Sequence, residues 1–318
     1  MRALVTGASG FIGRHVVSEL VAGGASVRAF DRQPPPDADV EFVAGDVLDP
    51  VAVGRALDGC DAVFHLAAVY SYARRDAALM ESVNVRGTRV VIESAVRAGV
   101  HRIVHTSTCA TCGPVPGRRA TELDQPPPAD LRIPYKRTKV RGEQVALEAA
   151  RDRVALVVVN PTVPVGPGDL RPTPTGKMVA DVAHGRARGY LARSALNVVA
   201  VQDVARGHVL AFERGRAGER YLLGGEDMSI RDVFAVVARA AGLTAPRIGV
   251  PWAVAYAAAL GAGLALRPLG REPDLLLVDE VRSGRLPHLF DDSKARSELG
   301  YTTRPAQQAL AEATEAFL

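Results

Sequence analysis

Three glycines near the N-terminus, Gly7, Gly10 and Gly13, constrain the fold more than any other feature. They follow the apolar run RALVTGA and precede IGRHVVSELVAGG, whose apolar residues have helical spacing, so they lie in a turn between a strand and a helix. In such a turn the first glycine permits the tight bend, the second lets a pyrophosphate approach the backbone, and the third lets helix and strand pack closely. This turn, with Phe11 and Ile12, is therefore predicted to bind a dinucleotide.

Up to about residue 161 the sequence alternates between apolar strands and amphipathic helices. This alternation predicts an α/β fold, a Rossmann-type doubly wound parallel sheet covered by helices on both faces. The segment PTVPVGPGDLRPTPTG then breaks the pattern, and a smaller α+β substrate-binding region is expected to follow. We expect a nucleotide-binding domain of residues 1–160 plus about 196–215, with 161–195 and 216–318 in the second region.

The end of the second predicted strand indicates which dinucleotide binds. A carboxylate at Asp31 can accept hydrogen bonds from the adenosine ribose hydroxyls and repels a 2′-phosphate, which favours NAD over NADP. Arg32 argues against this preference, because its guanidinium can pair with the 2′-phosphate of NADP. The alternative is that Arg32 is a solvated charge that stacks over the adenine.

Further cofactor contacts are expected where the next strands end. Asp46 and Val47 follow the third strand, where a carboxylate can meet the adenine edge. Leu66, Ala67 and Ala68 end the fourth strand with small residues, whose backbone can line the dinucleotide. Each position is plausible because a parallel sheet brings these ends to one edge.

Tyr135 and Lys139 stand four residues apart, on one face of a predicted helix. The chain has few ammonium groups: its only lysines are Lys136, Lys139, Lys177 and Lys294. A phenol has a pKa near 10, and a nearby ammonium together with a positive nicotinamide can lower that pKa by about 2 to 3. Tyr135 is therefore the predicted acid/base, exchanging a proton with a substrate oxygen.

The stretch TSTCATCG, residues 106–113, contains both a hydroxyl pair and Cys-x-x-Cys. Thr108, with Ser107 as the alternative, follows the strand before Tyr135 and can hydrogen-bond the substrate oxygen. A redox pair belongs at a helix N-terminus, and a zinc site needs two further ligands. Neither condition is met by Cys109 and Cys112, so the cysteines are predicted to fill space and no metal is expected.

Composition narrows the partners. The net charge is +4, but the basic residues are dispersed and aromatic residues make up only 5%, which argues against nucleic-acid binding. No secretory leader is recognisable and only three cysteines occur, so a cytoplasmic location is expected. The apolar stretch 251–266 is too short to span a bilayer. We predict a buried helix there, with a substrate-facing or membrane-surface helix as the alternatives.

Several of these residues carry a family resemblance. The matching positions are Gly7, Gly10, Gly13, Asp31, 66–68, Asn84, Ser107, Thr108, Tyr135, Lys139, Asn160 and Pro161. Together they resemble the extended short-chain dehydrogenases/reductases, specifically the NAD-dependent epimerase/dehydratase group. Other segments look like the hopanoid-associated sugar epimerases and the dihydroflavonol-4-reductase-like enzymes.

The resemblance implies roles for individual residues. Thr108, Tyr135 and Lys139 would form the catalytic triad, and Asn84 would support a water or backbone link to Lys139. Pro161 and Thr162, like Tyr135 and Lys139, would contact the cofactor. A homodimer through the helices near 81–99 and 136–150 is also implied.

One departure from the family pattern bears on the substrate. Nucleotide-sugar epimerases of the group usually carry an arginine for the diphosphate where this chain has Leu196. Arg193, Arg282 or Arg285 can substitute, or they can be surface charges. We therefore expect an oxidoreductase acting on a secondary alcohol or ketone of a small, less polar substrate. The alternatives are an NDP-sugar epimerase that retains its NAD, and a dinucleotide sensor without chemistry, which would be expected to lack the Tyr/Lys pair.

Overall fold

The computed structural model describes residues 1–36, 39–266 and 277–318. The strands in these ranges are β1 (Arg2–Thr6), β2 (Ser26–Asp31), β3 (Glu41–Ala44), β4 (Ala62–His65), β5 (Arg102–Thr106), β6 (Ala155–Pro161), β7 (Val163–Val165), β8 (Tyr190–Leu191), β9 (Ala195–Ala200), β10 (Arg220–Leu223), β11 (Glu226–Ser229) and β12 (Gly249–Val250). The helices are α1 (Phe11–Ala22), α2 (Pro50–Ala56), α3 (Ala77–Met80), α4 (Thr88–Arg97), α5 (Pro134–Ala150), α6 (Pro174–Ala183), α7 (Val201–Arg214), α8 (Ile230–Ala240), α9 (Trp252–Leu266), α10 (Val278–Ser283) and α11 (Ala306–Glu315). A π-helical turn, Glu81–Gly87, joins α3 to α4.

Seven parallel strands form the main sheet in the order β10-β6-β5-β4-β1-β2-β3. The strands are continuous apolar runs because both faces are covered: α1 and α7 pack on one, and α2, α4 and α5 on the other. The chain leaves β1 in one direction and returns through β4 in the other, which opens a crevice at the carboxyl ends of these two strands. The predicted Rossmann-type fold is confirmed.

The second region is built on two small sheets. One has the order β11-β9-β7, the other pairs β12 with β8, and α6, α8 and α11 pack on the former around Val179, Val233 and Leu310. β10 was expected in this region but lies at the edge of the main sheet, paired in parallel with β6. The division into domains at residue 160 stays a prediction.

α9 corrects the interpretation of the apolar stretch 251–266 as a buried helix. Ala255 and Ala259 are buried, whereas Val254 is 58% and Leu264 is 65% exposed. The helix is apolar on all sides, so periodicity could not show which side faces the protein. Within the described ranges, no helix has both the length and the apolar character needed to cross a membrane.

Candidate active site

The glycine turn has the close backbone packing that the sequence predicts. Gly7 has a φ of +70°, and a Cβ there would lie 2.6 Å from the backbone nitrogen of Ala67. A Cβ at Gly13 would collide with the carbonyl oxygen of Gly7. Gly10 is the N-cap of α1, and no side chain caps that helix, so its first-turn N–H groups remain open to an anion.

Asp31, the last residue of β2, is tied to this turn. One carboxylate oxygen accepts a hydrogen bond from the backbone N–H of Ser9 at 3.1 Å, and the other from that of Arg32 at 2.7 Å. The Arg32 side chain is exposed, while Arg28 is buried and paired with Glu41 at 2.8 Å. The carboxylate therefore stands beside the anion-binding backbone, where the sequence predicts a ribose contact.

The other expected cofactor residues lie at the same edge of the sheet. Ala67 touches the turn, and its N–H donates to the Thr6 hydroxyl at 3.3 Å. Asp46 accepts from the N–H of Leu48 at 2.9 Å and so shapes the loop after β3. The remaining positions follow β3, β4 and β6, and they are Val47, Leu66, Ala68, Pro161 and Thr162.

Thr108, Tyr135 and Lys139 come together at the carboxyl end of β5. Pro134 starts α5, so Tyr135 lies in its first turn and Lys139 one turn further on the same face. The Tyr135 and Thr108 side chains share a hydrogen bond. The Lys139 ammonium is buried and donates to the carbonyl oxygen of Thr106 at 2.9 Å.

The protonation of this group differs from the sequence expectation. Burial raises the pKa of Tyr135, and the hydrogen bond with Thr108 only partly opposes it. Burial also lowers the pKa of Lys139 to about 8, with Glu143 acting in the opposite direction. Lys139 was expected to lower the tyrosine pKa, but its ammonium is directed to Thr106. The protein alone therefore keeps Tyr135 protonated at neutral pH.

Asn84 holds the segment after β4 rather than Lys139 itself. Its amide accepts from the N–H of Val69 at 2.8 Å, and donates to the carbonyl of Val69 at 3.0 Å and to Thr138 at 3.2 Å. Thr138 is the residue before Lys139 in α5, and the link from Asn84 to Lys139 stays a prediction.

Two aromatic residues beside Tyr135 were missed. The ring centroid of Tyr70 lies 4.4 Å from that of Tyr135, and the centroid of Tyr72 lies 6.2 Å away. The signal was the motif VYSY directly after Leu66 to Ala68, in a chain with few aromatic residues. These rings cover the predicted acid/base with apolar surface.

Among the described residues, a cavity of about 950 Å³ adjoins this cluster. Ser283 is in its wall and accepts a hydrogen bond from the Tyr72 hydroxyl at 3.3 Å. Arg282 and Arg285 also line it, whereas Leu196 packs against the core of the second region.

The cysteines have the properties of buried fillers. Cys60, Cys109 and Cys112 are free and buried. Burial raises the pKa of Cys109 to about 12 and that of Cys112 further, so neither thiol is ionised at neutral pH. In residues 1–36, 39–266 and 277–318, no three His, Cys, Asp or Glu side chains are grouped as metal ligands.

A doubly wound sheet with an open helix N-terminus at the crevice and a tyrosine–lysine pair at the same edge defines a dinucleotide-dependent oxidoreductase. The model of the NAD dependent epimerase/dehydratase family matches residues 3–224, and the chain belongs to this family of extended short-chain dehydrogenases/reductases. It is therefore an enzyme, and the predicted cofactor, NAD, is confirmed.

Relatives of different activity share the whole fold. The chain is 34% identical to sterol demethylase protein B of Methylococcus capsulatus, over all of this chain and 98% of that protein. It is 33% identical to the 2-alkyl-3-oxoalkanoate reductase of Stenotrophomonas maltophilia, over 95% and 94%. The UDP-glucose 4-epimerase of Thermus thermophilus, solved with NAD, superimposes with a TM-score of 0.80 at 26% identity, over 100% and 99%.

Proposed function

We propose that this enzyme transfers hydride reversibly between NAD and a secondary alcohol or ketone of a small, mainly apolar substrate, with Tyr135 as the acid/base. The observation that carries the proposal is the hydrogen bond between Tyr135 and Thr108 beside the buried Lys139. The three groups stand at the sheet edge that also carries the glycine turn.

The residues present fit a bound dinucleotide. The uncapped start of α1 offers N–H groups to a pyrophosphate. Because Gly7 and Gly13 have no side chains, the turn packs closely and its backbone stays accessible to the pyrophosphate. Asp31 would bind the ribose hydroxyls, and Ala67 would line the pocket from β4. When bound, NAD accepts a hydride from the alcohol or, reduced, supplies one to the ketone.

The side chains supply the proton chemistry. In the direction of reduction, Tyr135 gives its proton to the ketone oxygen, and its raised pKa keeps that proton available at neutral pH. Thr108 donates a hydrogen bond to the same oxygen and polarises the carbonyl. The resemblance gives Lys139 the role of stabilising the tyrosinate left behind, for which its ammonium would have to turn from the Thr106 carbonyl towards the phenolate. This direction suits the environment better than oxidation, which needs Tyr135 deprotonated first.

The apolar character of the substrate rests on what surrounds Tyr135. Tyr70 and Tyr72 cover it with aromatic surface, and the reductase from Stenotrophomonas is named for a 2-alkyl-3-oxoalkanoate, a keto acid with an alkyl substituent. One observation favours the second candidate, an NDP-sugar epimerase with retained NAD: Arg282 and Arg285 line the cavity, where they could hold a diphosphate.

The test follows NADH oxidation with a panel of alkyl and aromatic ketones. We expect wild-type protein to reduce members of this panel, and Tyr135→Phe to lower kcat by about 10²–10⁴-fold because the proton donor is lost. The matched control is Tyr190→Phe, on the short strand β8, which should retain full activity. A Tyr135→Phe variant as active as wild type would contradict the assignment.

Mass spectrometry of nucleotide released on denaturation separates the two candidates. An epimerase shows no net oxidation and should retain stoichiometric NAD. Exchange of the cofactor, with net NADH consumption, supports the reductase.

We further propose the assembly and environment that the sequence suggests. The helices at 81–99 and 136–150 would form the interface of a homodimer in the cytoplasm. The exposed apolar face of α9 would touch a membrane surface.

A further inference from the structure

The cavity beside Tyr72 combines apolar walls with arginines. Its lining includes five prolines between residues 114 and 128, Val115, Leu286 and Trp252. These residues give the cavity apolar wall area, which suits a flat or aliphatic part of a ligand.

The arginines of the cavity are stacked on its aromatic residues. The Trp252 and Tyr256 rings are parallel within 12°, with centroids 4.8 Å apart. The Arg285 guanidinium lies 5.4 Å from the Trp252 ring centroid, and that of Arg282 lies 5.8 Å from the centroid of Tyr256. Arg282 also donates to the Tyr256 hydroxyl at 2.9 Å. Stacking on Trp252 orients the Arg285 guanidinium and leaves its edge available to oxygen anions, whereas the Arg282 edge is already bound to Tyr256 and Asp279.

The carboxylates of the lining are neutralised by cations other than Arg285. Asp124 pairs with Arg118 at 2.5 Å, and Asp130 with the buried Lys136 at 2.7 Å. These pairs leave the lining with no spare negative charge from Asp124 or Asp130.

The positive charges are only partly balanced. Arg282 pairs with the buried Asp279, which also contacts Arg74. In the part of the chain that the structure describes, no carboxylate lies within 4.0 Å of the guanidinium of Arg132 or Arg285. The cavity therefore carries an excess of positive charge on an apolar wall.

The position of the cavity connects it to the reaction. The Tyr72 hydroxyl donates to Ser283 in its wall, and the Tyr72 ring packs edge-on against Tyr135. Tyr72 therefore stands between Tyr135 and the cavity wall and contacts both.

We propose that the cavity binds an acidic end group, a carboxylate or phosphate, on an otherwise apolar substrate, with Arg285 as its principal partner. The proposal rests on the proposed function, since it describes the far end of the same substrate. Guanidinium groups bind such oxygens with two parallel hydrogen bonds, while Trp252 and the prolines cover the apolar body.

The chain itself supplies a probe that does not depend on turnover. Trp252 is its only tryptophan, so the emission of this residue reports occupancy of the cavity. We would titrate the full-length protein with decanoate, decyl phosphate, decanol and UDP, with and without NAD.

Decanoate or decyl phosphate should change the emission saturably, with a Kd at least tenfold below that of decanol. The ligand with the lower Kd shows whether the site prefers a carboxylate or a phosphate. Arg285→Gln should raise that Kd about tenfold, which corresponds to about 1.4 kcal/mol. Arg239→Gln, at an exposed position on α8, is the matched control and should leave it unchanged.

Equal binding of decanol and the acids, or no effect of Arg285→Gln, would overturn the proposal. Tight binding of UDP alone would overturn it too and favour the NDP-sugar epimerase. Failure of ketone reduction while acids still bind through Arg285 would refute the proposed function and leave the anion site standing. Normal ketone reduction without tighter binding of the acids would refute the anion site and leave the proposed function standing.

Discussion

At the scale of single residues, burial sets the chemistry of Tyr135 and Lys139 in opposite directions. It raises the pKa of the phenol and lowers that of the ammonium to about 8. Near neutral pH the tyrosine therefore keeps its proton and the lysine keeps its charge. The ketone reduction that we propose would need both states, with Tyr135 as the proton donor and a charged Lys139 to stabilise the resulting tyrosinate.

This arrangement predicts a decline of activity at alkaline pH. A group whose pKa is lowered by burial loses its proton earlier as the pH rises, so kcat/KM for ketone reduction should fall above about pH 8. Lys139→Arg keeps the positive charge at all these pH values and should move the decline upward. The measurement is kcat/KM from pH 6 to 10 for both proteins. A wild-type profile that stays flat to pH 10 would show that Lys139 charge does not matter.

The sequence predicted Tyr135, Lys139 and Thr108 as one group from their residue types and spacing, and the structure brings these residues together at the end of β5, while their catalytic roles stay a prediction. It did not reveal that Tyr70 stacks on Tyr135, since that contact joins the segment after β4 to the first turn of α5, 65 positions further along the chain. Spacing places Lys139 on the right face of α5 but does not show that its ammonium is directed to Thr106, so in the protein alone burial dominates and raises the pKa of Tyr135; the predicted lowering by the ammonium and a bound nicotinamide together stays a prediction.

At the scale of elements, the contact between β1 and α1 depends on the absence of a side chain at Gly13. A Cβ there would meet the carbonyl of Gly7, whereas Gly54 in α2 has open space around its Cβ position. Gly13 and Gly54 both lie in helices that pack on the main sheet, but only Gly13 lacks space for a side chain, so Gly54 serves as the control for Gly13.

We expect opposite effects from alanine at these two positions. Gly13→Ala should lower the free energy of unfolding by about 1–3 kcal/mol through overpacking, and weaken NADH binding because α1 must shift. Gly54→Ala should raise it by about 0.5–1 kcal/mol, since alanine is the better helix former. Urea unfolding and NADH fluorescence titration measure both quantities. Normal NADH affinity in Gly13→Ala would refute the close-packing argument.

At the scale of the whole molecule, cofactor binding is linked to unfolding. A ligand that binds only the folded state at 100 times its Kd stabilises it by about 2.7 kcal/mol. Because Asp31 repels a 2′-phosphate, NADP at the same concentration should stabilise the protein less than NAD.

Urea unfolding with each nucleotide checks this difference. Asp31→Asn removes the charge and should narrow the gap between NAD and NADP, while Asp58→Asn, at an exposed site, should not. Greater stabilisation of the wild type by NADP would transfer the ribose contact from Asp31 to Arg32.

The sequence by itself determined the sheet, the glycine turn and the family, and it predicted Tyr135 and Lys139 as the reacting pair. These features depend on local periodicity and on residue types at fixed short spacings, and both can be recognised in the sequence without knowledge of distant contacts. Only the tertiary structure decided that β10 joins the main sheet, that α9 exposes one side, and that Arg282 and Arg285 meet Trp252 and Tyr256 around a cavity. Such contacts join distant segments through packing and charge balance, and no single stretch of sequence contains them.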